Sequence, residues 1–216
     1  VSYEGPGSMS GPHEGRYIMI LRHKLFKART SNIHGFLPQE FLAFALPARR
    51  TQERVWTRTN GKYTFTVTAG AVKDFDGSLV TELPSGKYAR AALLYLCTQA
   101  KLTSDARISI NDSYRSFIHS LGLTWQGAQR GKEALHQLML VAAATFTVIE
   151  QYVDETTGEE HYSDTGSRIS DTMDLWTIHG REDISHGTRS TVTLSPMMVE
   201  MLDRAAPLSM QSWCWL

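Results

Sequence analysis

The chain has 216 residues, 22 Lys and Arg against 22 Asp and Glu, and 42% hydrophobic residues. That is enough for one large domain or two small ones, and a domain near this length buries roughly 70% of its unfolded surface without a metal or disulfide staple. The hydrophobic share and five Trp exclude a disordered chain; two cysteines, Cys97 and Cys214, exclude a disulfide scaffold and fit a reducing cytoplasm. The longest apolar run, around Ala91 to Cys97, falls far short of the ~20 residues that span a bilayer, so a membrane partner is not expected.

Residues 1–15 read as a linker, with Gly5-Pro6-Gly7-Ser8-Met9 as a tag remnant joined to Met9 and no apolar signal peptide. Tyr17–Phe26 mixes apolar and basic residues and suits either a helix or a strand. Gln39–Leu46, between Pro38 and Pro47, predicts a short helix with Pro38 near its first position. Val55–Arg58 and Tyr63–Thr68 flank Asn60-Gly61, which predicts an N-terminal β-hairpin whose two central turn residues take positive φ. Tyr63, Phe65 and Val67 alternate with threonines, so one face of the second strand is expected to be buried. Asp76-Gly77 marks a further turn.

Ser85 is the expected N-cap of a helix carrying Tyr88, Ala92, Tyr95, Leu96 and Gln99. Arg107–Ile110 predicts a short strand. Asn111 or Asp112 caps a second helix with Tyr114, Phe117, Ile118 and Leu121 on one face, and Gly122 ends it. A third helix runs from about Ala128 to Ala143, with Ala134, Leu135, Leu138, Met139 and Ala142 inward. Strands follow over Thr145–Tyr152, less regularly over Tyr162–Ser170, and over Leu175–Ile178 and Thr188–Leu194, with a turn near Thr157-Gly158. Ser195-Pro196 starts a final helix, Met197–Arg204, which Pro207 stops. The expected fold is α+β: a winged helix-turn-helix with an N-terminal β-hairpin and a β-rich wing, spanning 16–208. Residues 209–216 are expected to be a C-terminal extension or the truncated start of a second module.

The formal charge of zero is a cancellation. Arg16–Lys62 carries ten Lys/Arg against Glu40 and Glu53, a net +8. Pro84–Ala143 carries seven against Asp105, Asp112 and Glu133, a net +4. Glu150–Asp183 carries ten acids against Arg168 and Arg181, a net −8. A polyanion is therefore expected to meet the first two thirds of the chain and to avoid the acidic block.

Catalytic constellations are missing, so an enzyme is not expected. Gly127-Ala-Gln-Arg-Gly131-Lys132 has three residues between its glycines and Glu133 after the lysine, which fails the phosphate-loop pattern. His179, Glu182 and His186 have ligand types without ligand spacing, so neither a metal nor another cofactor is expected. No Gly-x-Ser-x-Gly elbow exists. The third helix offers Gln129, Arg130, Lys132, His136 and Gln137 outward, residue types that reach base edges and phosphates, whereas an ordinary polar helix face is the plain reading. Arg49, Arg50, Arg54 and Arg58 either add backbone contacts or form a solvated basic hairpin.

The run Leu46-Pro47-Ala-Arg49, Trp56-Thr-Arg58-Thr-Asn60-Gly61 and Leu83-Pro84-Ser-Gly86-Lys-Tyr-Ala-Arg90 resembles the plasmid-encoded replication initiators of the RepA type. Ile108-Ser-Ile110, Leu121-Gly122-Leu123 and Thr191-Val-Thr193-Leu194 continue the similarity in order, across roughly Phe41 to Leu208. The resemblance implies a bacterial cytoplasmic initiator that binds origin repeats (iterons) in double-stranded DNA, helps open the origin and recruits host replication proteins. It also implies monomer and dimer forms, and places Gly127–Leu138 at the segment leading into the recognition-like helix. A transcriptional repressor shares the architecture, and a truncated initiator acting as a dimerisation module is the alternative of a different class.

Overall fold

The computed structural model describes residues 33–110, 114–121, 123–124, 126–175 and 190–209. Tyr17–Phe26, the capping Asn111 and Asp112, Gly122, the His179–His186 segment and the apolar ending Trp213–Leu216 lie outside them.

The elements begin with β1 (Ile33–Leu37) and α1 (Gln39–Phe44). Pro38 is the N-cap of α1 and lies outside the helix, and its carbonyl accepts the N–H groups of Phe41 and Leu42. Then β2 (Val55–Asn60) and β3 (Tyr63–Thr68) form the expected hairpin, one residue out of the expected phase. Asn60 pairs with Tyr63, so the turn is Gly61-Lys62, and only Gly61 takes positive φ (58°). A two-residue loop needs that conformation at its first central position, where glycine carries no Cβ penalty. Next come β4 (Ala71–Lys73) and β5 (Leu79–Thr81), joined by the Asp76-Gly77 turn, and the long helix α2 (Gly86–Thr103).

Ser85 precedes α2 as expected, yet its hydroxyl caps nothing. The strand β6 (Arg107–Ser109) and the helices α3 (Tyr114–Ser120) and α4 (Ala128–Ala143) match their expected spans closely. After α4 the chain forms β7 (Thr145–Val153), β8 (Glu160–Arg168), β9 (Ser170–Asp174) and β10 (Thr191–Leu194). Of the strand expected at Leu175–Ile178 only Leu175 is described, and it lies just past β9. The helix α5 (Pro196–Asp203) has Ser195 as a true cap, its hydroxyl accepting the Met198 N–H at 3.3 Å. Pro207 does not sit in a loop; it belongs to β11 (Ala206–Ser209), paired with Phe36 of β1.

A buried α2 organises the core. Ten of its residues are buried, including Tyr88, Leu93, Leu94, Leu96 and Cys97, so it is apolar on nearly every side, as a helix must be that touches neighbours all round. It packs on α4, β1, β6 and α5. One end of the core is aromatic: the Phe41 ring meets Phe65 at 5.1 Å and Phe146 at 5.4 Å, both edge to face, and Phe44 stacks on Phe65 at 5.4 Å. These rings join α1 to a four-stranded antiparallel sheet of order β2-β3-β7-β8.

The pairing of β3 with β7 merges the N-terminal hairpin and the acidic ribbon into one sheet. A separate three-stranded sheet has the order β6-β10-β9. The strand that pairs on to the helical region's own β6 is therefore β10, and the β7–β8 ribbon belongs to the other sheet. Of the strands that follow the third helix, β9 and β10 thus lie with β6, while β7 and β8 pair with the N-terminal hairpin. Gly70 closes the join between the hairpins and α4, because a Cβ there would lie 2.0 Å from the Ala143 carbonyl oxygen.

Phe65→Ala removes the ring that both Phe41 and Phe44 touch. It should lower the unfolding free energy by about 3–5 kcal/mol in a urea titration, with an unchanged m-value. A loss below about 1 kcal/mol would show that the sheet and α1 do not depend on this cluster.

Candidate nucleic-acid interface

The face of α4 offered to solvent is short. Gln129, Arg130 and Glu133 are exposed, Lys132, His136 and Gln137 are half-buried, and residues 138–143 are all buried. Three neighbours cause this. α2 and α3 pack on one side, and Val72 of β4 packs against Met139, Leu140 and Ala143 on another. Gly127 (φ 97°) begins the helix, and its carbonyl accepts the N–H groups of Arg130 at 3.2 Å and Gly131 at 3.3 Å. Gly131 is itself buried, which keeps the first turn close to the body.

The polar residues of α4 have different partners. The Arg130 guanidinium donates to Glu133 at 2.6 Å, which raises the arginine pKa further. Both side chains are about half exposed (52% and 43%), so the pair contributes little to stability. His136 Nδ1 lies 3.2 Å from the Asp74 carboxylate in the β4–β5 turn. The Gln137 Oε1 accepts the Ser85 N–H at 2.9 Å. Of the five α4 residues expected to read DNA, His136 and Gln137 thus face the protein's own groups, while Gln129 and Arg130 face solvent.

The arginine loop is tied to the same place. The Gly86 N–H donates to the Pro47 carbonyl at 2.9 Å, and Arg90 Nη2 donates to Leu46 at 2.9 Å. Residues 85–86 therefore touch α4 through Gln137 and touch the start of the Arg49–Arg54 loop through Pro47. Arg49 is exposed, and Arg50 forms an ion pair with Glu82. A shallow polar cleft lies here between Arg50, Thr51, Arg54, Thr81 and Glu82. Arg58 stands apart on β2, its guanidinium 4.6 Å from the centre of the Trp56 ring, whose Nε1 donates to Ala45 at 3.3 Å.

At the far end of the sheet the basic and acidic segments meet. Lys62 Nζ donates to Glu150 at 2.6 Å and lies 4.6 Å from the Tyr152 ring. That hydrogen bond raises the lysine pKa and lowers the glutamate pKa. Asp74, Glu82 and the Ser85 N–H are partners that sequence reasoning missed, because each lies 32 to 62 residues from the group it meets. Among the described residues no group of three His, Cys, Asp or Glu is arranged to hold a metal, and no helix is long and apolar enough to cross a membrane.

No family model matches the chain, and no curated protein matches it. Among solved structures it is similar to selenomethionine derivatives of domains 2 and 3 of RctB, at 12% identity and a TM-score of 0.48, over 78% of this chain and 61% of that one. A second structure of RctB domains 2–3 is similar at 11% identity and a TM-score of 0.48, over 76% and 58%. The chain thus spans about three fifths of the length of the RctB chains it matches.

Gln137→Ala leaves the Ser85 N–H without its partner at the junction of α4, α2 and the arginine loop. It should cost about 1–2 kcal/mol of stability by chemical unfolding. An unchanged midpoint would show that this junction does not hold the loop against α4.

Proposed function

We propose that this chain is a double-stranded-DNA-binding domain of a plasmid replication initiator of the RepA type, a winged helix that recognises without catalysis. The observation that carries the reading is the confinement of exposed polar residues on α4 to its first two turns. That is the part a recognition helix presents to base edges while its remainder packs on the domain. The order α2, β6, α3, α4, with the β6-β10-β9 sheet beside it, supports the winged-helix assignment, as does the ordered series of initiator-like segments from Leu46 to Leu208. Gln129 and Arg130 are the base-edge candidates, and Lys132, Arg49, Arg50 and Arg58 the phosphate candidates. In this reading the chain binds origin repeats, helps open the origin and meets host replication proteins in a bacterial cytoplasm.

The internal partners of His136 and Gln137 favour a second reading, in which this domain mainly associates with protein and has little affinity for DNA. Fluorescence anisotropy with duplexes carrying candidate origin repeats and with scrambled duplexes, at two salt concentrations, separates the two. A salt-dependent preference for repeats supports the initiator reading, and no binding to either duplex contradicts it. The Arg130→Ala, Lys132→Ala double variant should weaken duplex binding and reduce the salt slope by about two. Unchanged binding would remove α4 as the reader, and nucleotide hydrolysis by the purified chain would overturn the non-catalytic assignment.

A further inference from the structure

Side chains and backbone far apart in sequence grip one short stretch, residues 45–47, which joins α1 to the arginine loop. The Trp56 indole Nε1–H donates to the Ala45 carbonyl at 3.3 Å. Arg90 Nη2 donates to the Leu46 carbonyl at 2.9 Å, and the Gly86 N–H donates to the Pro47 carbonyl at 2.9 Å. Consecutive carbonyls are thus held from β2, from within α2 and from the start of α2. Leu46 and Pro47 are buried, whereas Ala48, Arg49 and Arg50 directly after them are exposed.

This stretch needs holding. Ala45 takes φ 43° and ψ 147°, a combination that a residue with a Cβ adopts only where its surroundings impose it. Its N–H donates to the Phe41 carbonyl at 3.1 Å, so α1 fixes one side of the turn and the indole fixes the other. The Arg90 guanidinium suits the next carbonyl, because a charged donor makes the stronger hydrogen bond. Trp56 has a second task, since the Arg58 guanidinium lies 4.6 Å from the centre of its ring. The far end of the loop is tied by backbone alone, with the Arg54 carbonyl accepting the Ala69 N–H at 2.8 Å.

We propose that Trp56 and Arg90 are positioning residues of the candidate interface. Neither touches the ligand; by holding the Ala45 and Leu46 carbonyls they fix Arg49 and Arg50 where a phosphate meets them. Trp56 also sets Arg58, so one ring governs two separate groups of phosphate candidates. The inference rests on the DNA reading for its ligand, while the clamp itself is tested without DNA.

Trypsin cleavage of the folded chain, read by mass spectrometry, is paired with fluorescence anisotropy on a short duplex at two salt concentrations. Trp56→Phe keeps a ring for Arg58, Arg90→Met keeps an aliphatic stem, and each deletes one donor. Both should speed cleavage after Arg49, Arg50 and Arg54 roughly fivefold, with cleavage after Arg107 and Arg168 unchanged. Arg90→Lys keeps a donor where a single hydrogen bond is needed and should be cleaved like the wild type. The two donor deletions should also weaken duplex binding severalfold and reduce the salt slope by about two, the share of Arg49 and Arg50. Unchanged cleavage overturns the proposal. An equal rise at every site overturns it too, because that marks a general loss of stability. Duplex binding that stays at the wild-type level after the loop has become cleavable has the same force. If the wild-type chain binds no duplex, the DNA reading fails, and the cleavage pattern alone decides whether Trp56 and Arg90 position the loop.

Discussion

The packing of α4 against α2 is the contact on which the rest of the molecule depends. α2 is apolar almost all round, so it needs partners on every side, and α4 supplies the largest of them. Meeting that demand takes Leu135, Leu138, Val141 and Ala142 of α4 inward. The β4–β5 hairpin then covers Met139, Leu140 and Ala143. What remains open on α4 is the stretch from Gln129 to Glu133, because every later turn is committed to the core. The position and the small size of the candidate interface are consequences of core packing, with no separate structural device needed to expose it.

The same core decides where charge accumulates. Phe41, Phe65 and Phe146 draw two distant hairpins into one sheet, and this sets Lys62 beside Glu150. Their contact cancels charge locally. Beyond it, Asp154, Glu155, Glu159 and Glu160 gather at the tip of the β7–β8 ribbon. Arg49 and Arg50 lie toward the start of α2. Among the described residues, acid thus gathers at the ribbon tip and arginines gather toward the start of α2, which is the charge distribution the proposed reading relies on.

Much of this arrangement was readable from residue patterns. The helices over 86–103 and 128–143 announced themselves through apolar spacing, and Ser195-Pro196 announced α5 through capping chemistry. Such signals are local, so they survive without knowledge of the tertiary structure. The misses are non-local. β1 and β11 are short, carry Gly35 and Pro207, and become strands only by pairing with each other across some 170 residues of chain. The hairpin turn lies one residue later than expected, with Asn60 paired to Tyr63 in the ladder and Gly61, which carries no Cβ penalty, as the residue with positive φ. For the interface, residue types identified Gln129 and Arg130 as outward, but nothing local shows that Asp74 and Ser85 meet His136 and Gln137.

The central claim is that polyanion contact falls on the start of α4 and the arginine loop, and not on the acidic ribbon. Amide chemical-shift mapping during titration with a short duplex at low salt tests it most directly. The account predicts that shifts concentrate at Gln129–Glu133 and Arg49–Arg58, while Asp154–Asp164 stays unperturbed. Shifts confined to the β7–β8 ribbon, with α4 silent, would contradict it.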